Sequence, residues 1–122
     1  MLVIETYLDK SIIDGIGVFS KNDLPKGTII WKFNPHLDRI LYGNDHRSSI
    51  EMRFLKKYAY YDIQLRHWIL CVDNDRFTNH SDDPNTGPND AGEVYALRDI
   101  IAGEELTVNY WDIDEYANIK LA

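Results

Sequence analysis

The sequence predicts a mainly β fold with one substantial helix. Short stretches rich in Val, Ile, Thr, Tyr, Phe and Trp recur along the chain, and Gly, Pro, Asn and Asp punctuate the gaps between them. Only the residues from about Ser49 to Tyr58 space their apolar side chains as a helix does. The 122 residues make one domain, 1–122, with enough chain to bury a core without a metal or a disulfide.

Leu2 to Leu8 mixes apolar and polar positions, and its Val3, Ile4, Thr6 and Tyr7 favour a strand. Asp14-Gly15 marks a turn, which Gly17 to Ser20 leaves extended. Leu24-Pro25-Lys26-Gly27 has Pro at the second position and Gly at the fourth, as a type I turn prefers. Thr28 to Phe33 reads as a strand that stops before Pro35. The helix can be capped by Ser48 or Ser49, and Ile50, Phe54, Leu55 and Tyr58 are expected on its apolar face. His67 to Val72 is the next strand, broken by Asp73-Asn74-Asp75. Ser81 to Gly92 is polar and turn-rich, and Glu93 to Arg98 and Glu105 to Val108 are expected to close the fold around the Ala102-Gly103 turn. Asp112 to Ile119 is expected to form a short helix.

Acidic residues outnumber basic ones by 20 to 13, giving a net charge of −7. Such a surface repels phosphate backbones, so direct nucleic-acid binding is not expected, and a cationic, lysine-bearing partner is easier to accommodate. Cys71 is the only cysteine, which excludes an internal disulfide and a cysteine-based zinc cluster. No basic stretch followed by an apolar run marks a secretory signal, and no apolar stretch approaches membrane-spanning length. The expected location is therefore the cytoplasm, or the nucleus of a eukaryote. The four histidines, His36, His46, His67 and His80, match no common metal-ligand spacing, so a metal-dependent hydrolase is disfavoured and no metal is expected.

Three blocks carry chemistry. The first is Gly15-Ile16-Gly17-Val18-Phe19, where missing side chains let backbone amides and carbonyls approach a ligand. The second is Arg76-Phe77-Thr78-Asn79-His80-Ser81 with Pro84-Asn85 after two further residues. The third is Gly103-Glu104-Glu105-Leu106-Thr107-Val108-Asn109-Tyr110. In this order and spacing the blocks resemble the SET domain family of protein lysine methyltransferases, over the stretch from about Val3 to Tyr110.

That resemblance implies a SET-domain fold of short strands with a knot-like C-terminal threading that brings Asn79, His80 and Tyr110 together. It implies S-adenosyl-L-methionine as cofactor, contacted by the backbone around Gly15, Ile16 and Gly17 and held by Asn79 and His80, the latter chiefly through its backbone. It makes Tyr110 the catalytic hydroxyl. Arg76 and Glu104 are expected to serve structure. An aromatic substrate channel is expected from Phe33, Tyr60, Tyr61, Trp111 and Tyr116, with Trp31 and Tyr58 as further candidates. The cysteine-rich tail of many members has no counterpart, so residues 111–122 are the candidate lid. A homodimer in which one subunit completes the other's channel is an expectation from that short tail. The alternative is a non-catalytic SET-fold module that binds the cofactor or a lysine-containing peptide.

Overall fold

The computed structural model describes residues 1–42 and 47–122, so His46 lies outside the described residues. The described chain is built from ten short strands, one long helix and one short one. Strands β1 (Thr6–Lys10) and β2 (Ile16–Ser20) form an antiparallel hairpin that pairs Thr6 with Ser20 and Lys10 with Ile16. Gly15 closes the connection at φ +48°, a left-handed conformation that costs glycine little.

Two three-stranded antiparallel sheets follow. One has the order β3 (Ile29–Trp31), β9 (Val94–Ala96), β8 (Thr86–Pro88). The other has the order β4 (Arg39–Leu41), β6 (Trp68–Leu70), β5 (Tyr60–Tyr61). The remaining pair, β7 (Asn79–His80) and β10 (Thr107–Val108), is parallel, with Asn79 opposite Thr107 and His80 opposite Val108. This pairing draws two of the three sequence blocks to one place. The segment before β10 also joins β2: Phe19 bridges Glu105, and the Leu106 amide donates to the Val18 carbonyl at 2.7 Å. The first block is thereby stitched to the third.

The central core packs Val18, Leu24, Ile30, Ala96, Ile100 and Leu106 between the hairpin and the first sheet. Each fully buried aliphatic side chain there contributes about 1.5–3 kcal/mol. A second cluster holds Trp31, Ile69 and Cys71, and a third holds Leu55, Ala59 and Trp68.

Helix α1 spans Ser49–Tyr58, as its apolar spacing predicts. Ser48 is its cap: the hydroxyl accepts from the Glu51 amide at 3.2 Å, and the Glu51 carboxylate accepts from the Ser48 amide at 2.6 Å. Its buried face differs from expectation. Leu55 and Met52 face inward, onto the Trp68 cluster, whereas Ile50 is 74% and Phe54 41% exposed. The second sheet and the tail cover the Leu55 side and leave the Ile50 side open.

The tail also departs from a simple helix. It forms a 3-10 turn at Tyr110–Asp112, a bridge between Asp114 and Asp62, and only then α2 (Ala117–Lys120). The cause is the buried Asp114 carboxylate, which accepts from the amides of Tyr61 (3.1 Å) and Tyr116 (2.9 Å) and so fixes the chain against β5. Within the turn-rich stretch before Gly92, β8 exists because side chains anchor it. Asn85 donates to the Glu105 carbonyl at 2.8 Å, and Thr86 donates to the Thr107 carbonyl at 2.7 Å. No helix among the described residues is long and apolar enough to cross a membrane.

Candidate active site

The site begins at the loop between β1 and β2. The Asn79 side chain, 8% exposed, turns its amide nitrogen toward that loop. It lies 3.1 Å from the Asp14 carbonyl, 3.2 Å from the Ile16 carbonyl, 3.1 Å from Ser11 Oγ and 2.9 Å from Glu105 Oε1. Glu105 completes the clamp by accepting from the Ser11 hydroxyl at 2.9 Å. The same carboxylate explains Gly17, because a Cβ there would stand 2.0 Å from Glu105 Oε1. Gly15, Ile16, Asn79 and His80 all line a cavity of about 730 Å³ beside this loop. That volume suits a drug-sized or cofactor-sized ligand.

His80 is fixed at both ring nitrogens. Nδ1 accepts from the Tyr110 amide at 3.1 Å, which places the proton on Nε2, 2.8 Å from Asp82 Oδ1. Its ring lies 5.3 Å from that of Tyr110, and the Tyr110 hydroxyl donates to the Thr78 carbonyl at 2.7 Å. Burial, reinforced by the charges of Asp14, Asp114, Asp75 and Glu105, pushes the Tyr110 phenol up to about 12. It is a neutral hydroxyl at any working pH.

A second cavity, of about 300 Å³, lies against the other side of Tyr110. Tyr110, Tyr58, Thr78, Arg76, Lys57 and Lys120 line both cavities. The two differ in charge. The larger carries Arg53, Lys56, Lys57, Arg76 and Lys120 against Asp14, whereas the smaller carries Asp62, Asp75, Asp90, Asp112 and Asp114 against three of those cations. One chamber suits a ligand with an anionic group, the other a cationic chain, and a tyrosine stands between them.

The aromatic residues expected in a channel separate. Tyr60, Tyr58 and Trp31 line the smaller cavity. Tyr116 stacks on Trp68 at 5.2 Å and meets Tyr61 edge-on at 5.6 Å, so this pair belongs to the packing beneath the tail. Phe33 packs on the Trp31 cluster, and Trp111 is 54% exposed. Lys120 pairs with Asp114 at 2.5 Å, donates to the Ala59 carbonyl, and holds its amine 5.7 Å from the Tyr110 ring centre.

Arg76 lies over the rings of Tyr58 and Phe77 at 5.9 and 4.9 Å. Glu104 accepts from the Ile101 amide at 2.6 Å and pairs with Arg98 at 3.0 Å, contacts that hold its carboxyl below the usual range. Ser11, Asp75 and Lys120 had no functional signal in the sequence, and Thr78 and Glu105 stood within the blocks without a role of their own. Each acquires its place only when distant segments meet. Among the described residues no group of three or more His, Cys, Asp or Glu could hold a metal ion.

A family model for the SET domain matches residues 15–111. The chain is similar to a histone-lysine N-methyltransferase, H3 lysine-36 specific, of Mycosarcoma maydis: 26% identical over 134 residues, covering 92% of this chain and 13% of that protein. It is similar to a variant-silencing SET domain-containing protein of Plasmodium falciparum (isolate 3D7), 30% identical over 114 residues, covering 79% of this chain and 4% of that protein. The chain therefore spans a small part of the length of these curated relatives. Among solved structures, a Plasmodium falciparum protein described as a histone methyltransferase superposes with a TM-score of 0.61 at 25% identity, covering 87% of this chain and 96% of that one. A humanized mutant of the Chaetomium thermophilum Polycomb Repressive Complex 2 shares the fold with a TM-score of 0.65 at 19% identity, over 94% of this chain and 16% of that one.

Proposed function

The chain belongs to the SET domain family, and from that premise we propose that it transfers a methyl group from S-adenosyl-L-methionine to the ε-amine of a lysine in a protein substrate. The observation that carries this reading is the meeting of two oppositely charged cavities at the Tyr110 side chain. The backbone of Gly15 and Ile16, with Gly17 behind them against Glu105, the Asn79 clamp and the His80 backbone would hold the cofactor in the larger cavity. When bound there, the cofactor supplies an electrophilic methyl on a positively charged sulfur.

The chain's own residues do the rest. The acidic smaller cavity draws in a lysine ammonium, and Tyr58, Tyr60 and Tyr110 exclude water from its stem. Desolvation lowers the pKa of the amine from about 10.4, which the reaction needs because only the neutral amine has a lone pair. Tyr110 is fixed through its amide by His80 and through its hydroxyl by Thr78, and its oxygen orients the amine. Alignment of this kind replaces a bimolecular encounter and accounts for much of the acceleration.

A second reading, a module that binds without turnover, has one observation in its favour. The Lys120 amine occupies the wall common to both cavities, above the Tyr110 ring. Calorimetric titration of S-adenosyl-L-methionine into the wild type and Asn79→Ala, followed by turnover on lysine-containing basic peptides, separates the readings. Saturable binding, weakened at least about tenfold in the variant (on the order of 1.4 kcal/mol), together with turnover, supports the enzyme. Binding without turnover selects the module. Absence of saturable cofactor binding to the wild type defeats the enzyme, and absence of binding to the same peptides as well defeats the module.

A further inference from the structure

Resting on the methyltransferase reading, we propose that Asp75 is the proton acceptor for the substrate amine. Asp75 sits on the 3-10 turn Asn74–Phe77 and lines the smaller cavity together with Tyr60, Cys71, Thr78 and Tyr110. Thr78 binds the acceptor to the catalytic tyrosine. Its hydroxyl donates to Asp75 Oδ1 at 3.1 Å, and its carbonyl accepts from the Tyr110 hydroxyl at 2.7 Å. One residue thus fixes both groups in the same wall.

The other candidates are otherwise engaged. Tyr110 stays protonated, and His80 lies outside this cavity with both ring nitrogens bonded. Asp114 is paired with Lys120 and holds two amides. Asp62 caps the amides of Gln64 and Leu65 at 2.9 and 2.8 Å. Asp90 and Asp112 are exposed to solvent. Asp75 alone in this wall is partly buried, is tied to the tyrosine, and has no ion pair among the described residues.

In the step itself one N–H bond of the ammonium breaks, its electron pair stays on nitrogen, and the proton joins a carboxylate oxygen of Asp75. A neutral amine and a neutral carboxylic acid result, and the acid later releases its proton to water at the cavity mouth. The surroundings favour this exchange. Burial, followed by the negative charge of Asp73, raises the Asp75 carboxyl from 3.8 to about 6, against the opposing hydrogen bonds from Cys71 and Thr78 and the amine of Met1. Tyr60 faces it from β5, and the thiol of Cys71 is itself raised by burial and by Asp75. Shifting the acceptor by about two units narrows its gap to an ordinary lysine by roughly a hundredfold.

Two experiments test this. The first needs no turnover: the carboxyl carbon of Asp75 is followed by NMR through a pH titration, with and without n-butylammonium as a lysine side-chain probe. The expected midpoint is near 6. The probe should lower it by about one unit, because a cation favours the carboxylate. A midpoint that does not respond to the amine overturns the proposal. The second is the pH profile of kcat/KM on lysine-containing basic peptides for wild type, Asp75→Asn and Asp75→Glu. Activity should rise with pH through the Asp75 midpoint. In Asp75→Asn it should fall about a hundredfold and lose that rise, with partial recovery in Asp75→Glu and unchanged calorimetric binding of S-adenosyl-L-methionine. Wild-type turnover with an identical profile in Asp75→Asn would defeat this inference alone, whereas a wild type that binds no cofactor would defeat the methyltransferase reading beneath it.

Discussion

Single side chains separate chemistry from support. Tyr110→Phe keeps the ring and the amide bond to His80 but removes the hydroxyl that reaches Thr78. Turnover should fall at least about a hundredfold, by analogy with the loss of one preorganised polar group at a reacting centre. Calorimetric affinity for S-adenosyl-L-methionine should stay within about twofold, a shift of under 1 kcal/mol. Turnover equal to wild type would remove Tyr110 from the mechanism. Gly17 tests the support. Gly17→Ala drives a methyl into Glu105 Oε1 and should cost about 1–3 kcal/mol in urea unfolding. Because the clash is with a side chain, adding Glu105→Ala should recover most of that loss. A double variant no better than the sum of the singles would place the strain elsewhere. That Asn79, His80 and Tyr110 meet was implied by the resemblance that their blocks carry, and the parallel β7–β10 pair brings them together. The role of Glu105 was not legible in the sequence, since it depends on meeting Gly17 and Ser11 across the fold.

Elements differ in how much of their cause is local. Helix α1 was readable from about Ser49 to Tyr58, with Ser48 or Ser49 as its cap, because its apolar spacing and its cap both lie within the segment. Ser48→Ala should cost about 1 kcal/mol of unfolding free energy and leave turnover unchanged; a much larger loss would mean that Ser48 does more than cap. Strands β4, β5, β7 and β8 were missed, because two or three residues carry no periodicity and each is held by partners from elsewhere. The apolar face of α1 was misjudged for the same reason: the tail and the second sheet decide which side is covered. That tail is an element by virtue of Tyr116, stacked on Trp68. Tyr116→Ala should lower stability by about 2–4 kcal/mol and free Lys120 from its place above Tyr110. Limited proteolysis should then cut after Lys120, and an uncut tail would show that Asp114 suffices to hold it.

Across the whole molecule a net charge of −7 conceals a division, with cations gathered around the larger cavity and carboxylates around the smaller. Keeping Asp75 among those carboxylates has a stability consequence. Its folded-state pKa is raised, so the folded state binds its proton more tightly than the unfolded chain does. That advantage is complete below pH 3.8 and is lost as pH climbs to about 6. Asp75→Asn, which carries no such charge, should therefore gain about 2 kcal/mol relative to wild type between pH 4 and pH 7. Equal urea midpoints at both pH values would show that water reaches the carboxylate. The parallel pair of β7 and β10 reaches further than any single residue. Because Asn79 and His80 are secured by a strand that comes well after them in the sequence, a chain growing on the ribosome carries an unfinished binding pocket until β10 has emerged. Ligand capture thus reports that β10 is in place, and amide exchange at Asn79 and His80 should slow only when β10 docks during refolding.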